Sequence, residues 1–118
     1  MIQAVLYRDR SGRLTGFSSK GHSGYSEEGS DIICAGVSAL TITCVNSLES
    51  VCGIVPQIKG GTDGYLEAHL PSSVETEKMH DAQVLFGALR QGLSDLAEQY
   101  PQFVELSIKN GGKHNDEA

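Results

Sequence analysis

The chain has 118 residues, enough for one domain that buries roughly two-thirds of its unfolded surface. It is 39% hydrophobic and 20% charged, with no Trp, as in an ordinary soluble globular protein. Nine Lys plus Arg against fifteen Asp plus Glu leave a net charge of -6, without the concentrated basic face that nucleic acid requires.

The first elements are strands. Ile2 to Arg8 alternates in polarity, Asp9-Arg10-Ser11-Gly12-Arg13 is a turn cluster, and Leu14 to Lys20 forms a second strand. The start is too short in apolar run, and charged too soon, for a signal peptide. Gly21 to Ser30 follows as a loop of about ten residues, long enough to suggest a functional segment. Ser30 or Asp31 caps a helix running to about Cys52-Gly53. Its apolar centre-line is Ile33, Val37, Leu40, Cys44, Leu48 and Val51. Its greasiest stretch, Ile32 to Val45, is about 14 residues, short of a membrane span, and reads as a core helix.

Ile54 to Lys59 and Tyr65 to Leu70 form a hairpin across Gly60-Gly61-Thr62-Asp63-Gly64, with Pro56 placing the first of the two at a sheet edge. Ser72-Ser73-Val74-Glu75 matches a capping box and opens a second helix. Its core face is Met79, Ala82, Leu85, Phe86, Leu89, Leu93 and Leu96, and it ends near Tyr100-Pro101. Val104, Leu106 and Ile108 alternate as a last strand. The order ββαββαβ predicts an α+β single-domain sandwich, two helices packed on a mostly antiparallel sheet. The domain spans residues 1–110, and 111–118 form a polar tail.

The chemistry concentrates around the first helix. Cys34, Cys44 and Cys52 share it, about 15 Å and 12 Å apart along the axis, too far to bridge one another or close a zinc site. No metal or cofactor is implied, and an unbridged set of thiols suits a reducing cytoplasm. Cys44 lies mid-stripe and Cys52 at the C-terminal end, where the helix dipole opposes a thiolate. Cys34 differs: it sits in the first turn, where free N–H groups favour negative charge. It reads as a nucleophile or as core filler.

His22, between Gly21 and Ser23-Gly24, reads as a solvated loop residue or as a base aimed at the helix start. Ser38 lies one turn after Cys34 on the same face, for a hydrogen bond in the site or to its own backbone. Asp31 is a cap, with a second reading as the group that orients His22. The glycine loop lacks the G-K-[ST] of a P-loop and the G-x-G-x-x-G of a dinucleotide fold. His69 and His80 read as surface residues, and His114 lies in the tail.

The run Gly21-His22-x-Gly24-Tyr25 … Gly29-x-Asp31-Ile32-x-Cys34-Ala35-x-Val37-Ser38-Ala39-Leu40 resembles the signature of the ribosomal-processing cysteine protease family, Prp. The resemblance continues through Thr41, Val45-Asn46 and Leu48 to Glu98-Gln99-Tyr100-Pro101. One departure is Gly36, where many relatives carry alanine or another small residue.

The resemblance implies a small cytoplasmic homodimer that removes the N-terminal extension of a large-subunit ribosomal protein. It also implies cleavage after a phenylalanine followed by alanine and basic residues. Its catalytic pair would be His22 and Cys34, with Gly21, Asp31 and Ser38 in the same site. Backbone N–H groups at the helix start, that of Cys34 included, would hold the oxyanion. The Gly21–Gly29 loop would close over substrate, with Glu27 and Glu28 either meeting its basic residues or, more simply, making a solvated acidic loop. No direct nucleic-acid contact and no membrane are implied. The alternatives are a non-catalytic ribosome-assembly or peptide-binding module, and a redox sensor that lacks a resolving cysteine within reach.

Overall fold

The computed structural model describes residues 1–22, 24, 31–62 and 64–111. The elements are β1 (Ile2–Arg8), β2 (Leu14–Lys20), α1 (Ile32–Ser50), β3 (Gln57–Thr62), β4 (Tyr65–His69), α2 (Thr76–Gln99) and β5 (Val104–Asn110). The five strands form one sheet in the order β3-β4-β2-β1-β5. Every neighbouring pair is antiparallel except β1 with β5, which is parallel. The α+β reading and the ββαββαβ order hold.

Alternation on the strands builds one core. Ile2, Ala4 and Leu6 of β1 pack with Phe17 of β2, Ala68 of β4 and Val104 of β5. Against them lie Ile33, Val37, Cys44 and Leu48 of α1 and Ala82, Phe86, Leu89 and Leu93 of α2. Helix α1 has 19 residues and no Asp, Glu, Lys or Arg before Glu49. By length and composition it would pass for a membrane span, yet its stripe is buried in this core.

Three boundaries differ from those read in the sequence. Helix α1 stops at Ser50, and Val51, expected on the apolar stripe, is 70% exposed. The chain then wraps the helix end through Gly53 at φ 71°, with the Ile54 N–H donating to the Leu48 carbonyl at 2.8 Å. Ile54 is therefore a buried plug under the helix, and β3 begins only at Gln57, past Pro56. The capping box fails because Glu75, which it requires inside the first turn, is extended at φ -60° and ψ 148°. Glu75 itself is the N-cap, with no side-chain cap bond, and α2 starts at Thr76.

The two helices approach closely at Gly92, where an added Cβ would lie 2.8 Å from Leu40 Cδ2. At Gly36 the nearest atom to an added Cβ is Leu96 Cδ1 at 3.8 Å, ordinary contact. Gly36→Ala is therefore expected to stabilise the domain by about 0.5–1 kcal/mol, the helix-interior gain of alanine over glycine. Gly92→Ala should gain less or lose stability, because Leu40 has to move. Denaturant midpoints of the two variants check the ranking.

Candidate active site

The register of β2 against β4 gathers the site. Lys20 pairs with Tyr65, and one residue on, the Gly21 N–H donates to the Gly64 carbonyl at 2.8 Å. Gly21 has φ 98°, and a Cβ there would lie 2.5 Å from the Met1 carbonyl oxygen, so only glycine turns the chain at this point. His22 follows directly. Its carbonyl accepts from the Met1 amino group at 2.5 Å, and its ring lies over Gly64, where a Cβ would come within 2.9 Å of Nε2.

Across from it, α1 begins. Asp31 is the N-cap: Oδ1 accepts from the Ile33 N–H at 2.9 Å and the Cys34 N–H at 3.2 Å. Its second oxygen, Oδ2, accepts from the Cys34 thiol at 3.2 Å. One carboxylate thus closes the helix and holds the sulfur through a hydrogen bond from its thiol.

His22, Cys34, Gly21 and Ser38 border one cavity of about 300 Å³. All five site residues read from the sequence are therefore brought together, four on the cavity wall and Asp31 bonded to Cys34 behind it. Two expectations change. The Cys34 N–H already donates to Asp31 and is not spare for an oxyanion. Asp31 caps α1, as read, and also bonds the Cys34 thiol, a contact the sequence reading did not give it. The expected loop closure and the roles of Glu27 and Glu28 lie outside the described residues.

The sequence reading did not place the other lining residues at the site, among them Ile42 on α1 and Gly61, Thr62, Tyr65 and Leu66 on the β3–β4 hairpin. It also misplaced His69, which is 4% exposed rather than on the surface. Its Nε2 bonds to Glu67, whose carboxylate also accepts from the Tyr65 hydroxyl. The Tyr7 ring lies 5.0 Å from that of His69. The period-2 run Tyr65, Glu67, His69 is the signal in the sequence that puts the three side chains on one face of β4. His80 is exposed as expected. Among the described residues, no group of three or more His, Cys, Asp and Glu could hold a metal.

The other two thiols are chemically quiet. Burial pushes Cys44 up to about 12, with the nearby Cys52 adding to it. Burial also raises Cys52, with Asp81 contributing. At pH 8 the native protein should therefore alkylate at Cys34 and not at Cys44 or Cys52, as peptide mass mapping would show. Asp31→Asn keeps a competent cap but removes the charge beside the sulfur, so Cys34 should alkylate faster in that variant at neutral pH. Asp31→Ala should cost about 1 kcal/mol of stability through the lost cap.

Known proteins carry the same architecture. The family model described as cysteine protease Prp matches residues 1–105. The ribosomal processing cysteine protease Prp of Bacillus subtilis is 32% identical over 108 residues, covering 91% of this chain and 96% of that protein. A crystal structure from Streptococcus mutans superposes with a TM-score of 0.79 at 36% identity, covering 93% of this chain and 95% of the other. The Staphylococcus aureus Prp in complex with a covalently linked product peptide gives a TM-score of 0.81 at 25% identity, covering 92% of this chain and all of that one. With a glycine-turned histidine and a helix-start cysteine on one cavity wall, this chain belongs to the Prp family of cysteine proteases.

Proposed function

We propose that this protein is a cysteine endopeptidase that removes the N-terminal extension of a large-subunit ribosomal protein, with Cys34 as nucleophile and His22 as general base and acid. The observation that carries the reading is the shared cavity: two residues twelve positions apart, on different elements, border the same 300 Å³ space. The S. aureus relative holds a covalently linked product peptide, in keeping with covalent chemistry on a peptide.

In the mechanism, the Cys34 thiol leaves its bond to Asp31 and gives its proton to His22. The sulfur then attacks the scissile carbonyl, and the imidazolium protonates the departing amine. Water, deprotonated by His22, opens the thioester and restores the thiol. With the Cys34 N–H bonded to the cap, the oxyanion falls to other backbone N–H groups at the helix start or to the Ser38 hydroxyl on the cavity wall. Asp31 sets the thiol rotamer between turnovers. The proposal includes a cytoplasmic homodimer, and the uncharged stretch of α1 from Ile32 to Leu48 is compatible with a second copy against it.

The test is a peptide carrying the ribosomal protein's extension, incubated with the wild type and with Cys34→Ala and His22→Ala. Cleavage is expected from the wild type and none from Cys34→Ala, with His22→Ala slowed by roughly 10²–10⁴-fold. Equal cleavage by Cys34→Ala and the wild type would exclude the dyad, and no cleavage by the wild type at any peptide concentration would leave a non-catalytic peptide-binding module as the reading.

A further inference from the structure

Strand β3 ends the sheet, and all of its residues from Gln57 to Thr62 are exposed. Which of its backbone groups are open follows from the ladder. The Leu70 N–H donates to the Thr15 carbonyl at 2.8 Å, so Leu66, Ala68 and Leu70 turn their backbone groups toward β2. Tyr65, Glu67 and His69 then turn theirs toward β3. In the β3–β4 register Gln57 faces His69 and Lys59 faces Glu67, so those two residues carry the ladder bonds. Ile58 is left with its N–H and C=O, and Gly60 with its N–H, pointing away from the sheet; past Gly60 the register shifts through a bulge, with Gly60 at φ 79° and Gly61 at φ 110°. Pro56, the preceding position of the same parity, has no N–H, which ends the open edge on that side.

The edge leads into the site. Directly after Gly60, Gly61 and Thr62 border the cavity that Cys34 and His22 share. The side chain of Ile58 pairs opposite Ala68, a core residue, so it stands on the helix side of the sheet, where it is 51% exposed. Ile42 of α1, also 51% exposed, lines the cavity on that same side. The open strand edge thus runs into the cavity that holds the thiol, with Ile42 on the cavity wall and Ile58 half-exposed on the same side of the sheet.

We propose that the substrate docks by strand addition: an extended peptide pairs its backbone with Ile58 and Gly60 of β3. Its helix-side residues lie on Ile58 and Ile42, and its scissile bond is delivered past Gly61 and Thr62 to Cys34. This rests on the peptidase reading and adds the substrate's conformation and a requirement for an apolar residue on one side. Main-chain pairing gives affinity, and the isoleucine wall gives selectivity at alternate positions. A folded protein would be a poor substrate, because only a free segment can lie flat as a strand.

Two experiments separate the docking from the chemistry. In the Cys34→Ala protein, ¹⁵N NMR with the extension peptide should shift the Ile58 and Gly60 amides more than those of Gln57 and Lys59. With the wild type, amide-to-ester replacements along the peptide should lower kcat/KM by roughly five-fold at alternate positions and little between them. Ile58→Pro removes an outward N–H and no ladder bond, so KM should rise with the denaturation midpoint nearly kept. Ile58→Ala keeps the N–H, covers the case of a misfolded proline variant, and should weaken only peptides with an apolar residue at that register. Cleavage without the amide shifts, or ester effects without alternation, overturns the edge. The amide shifts without cleavage uphold the edge and overturn the peptidase reading. Concentration-dependent shifts of the same amides in the absence of peptide would mean that a second copy occupies the edge, and overturn the proposal.

Discussion

The pairing of β2 with β4 is the constraint on which the site depends. These strands are separated in sequence by the loop after Lys20, by α1 and by β3, yet they are hydrogen-bonded neighbours in the sheet. The pairing continues past Lys20 and Tyr65 into the bond between Gly21 and Gly64. That bond sets the end of β2 against the β3–β4 turn, and so sets His22 on Gly64. Helix α1, packed on the same strands through Ile33 and Val37, brings Cys34 to the opposite wall. Closing so long a connection is entropically unfavourable, and the shared core of Leu6, Phe17, Ala68 and Leu48 offsets it.

At the start of α1 two electrostatic influences oppose each other. The helix N-terminus favours a negative sulfur, whereas the Asp31 carboxylate, placed there to cap the helix, faces the same sulfur and accepts its proton. Which influence prevails decides how readily the thiol gives up its proton to a base. Cys44 and Cys52 lack this contest, since burial raises both, with Cys52 adding to the effect on Cys44 and Asp81 to that on Cys52.

Glycine does two different jobs around the cavity. Gly21 and Gly64 are required by backbone conformation and by close approach, each with a positive φ and an atom where a side chain would stand. Gly36 meets neither condition and is replaceable. The distinction lies in the neighbours, not in the residue type.

The sequence by itself determined the strand and helix order, because alternation and helical periodicity are local properties of which residues face a core. It also separated Cys34 from Cys44 and Cys52, since position along one helix decides both dipole sign and burial. It named His22, Gly21, Asp31 and Ser38, through the family resemblance as well as the glycine-rich loop. Only the tertiary structure decided that His22 and Cys34 border one cavity, because strand pairing across α1 is a long-range choice that no local pattern encodes. It alone revealed that Asp31 holds the thiol and takes up the Cys34 N–H, because both depend on the side-chain geometry at the helix start. It also turned His69 inward, because Glu67 and the Tyr7 ring give a buried imidazole partners that a lone histidine in a sequence does not display. And it opened the edge at Ile58 and Gly60, because which backbone groups point outward is fixed by register, and register exists only between strands.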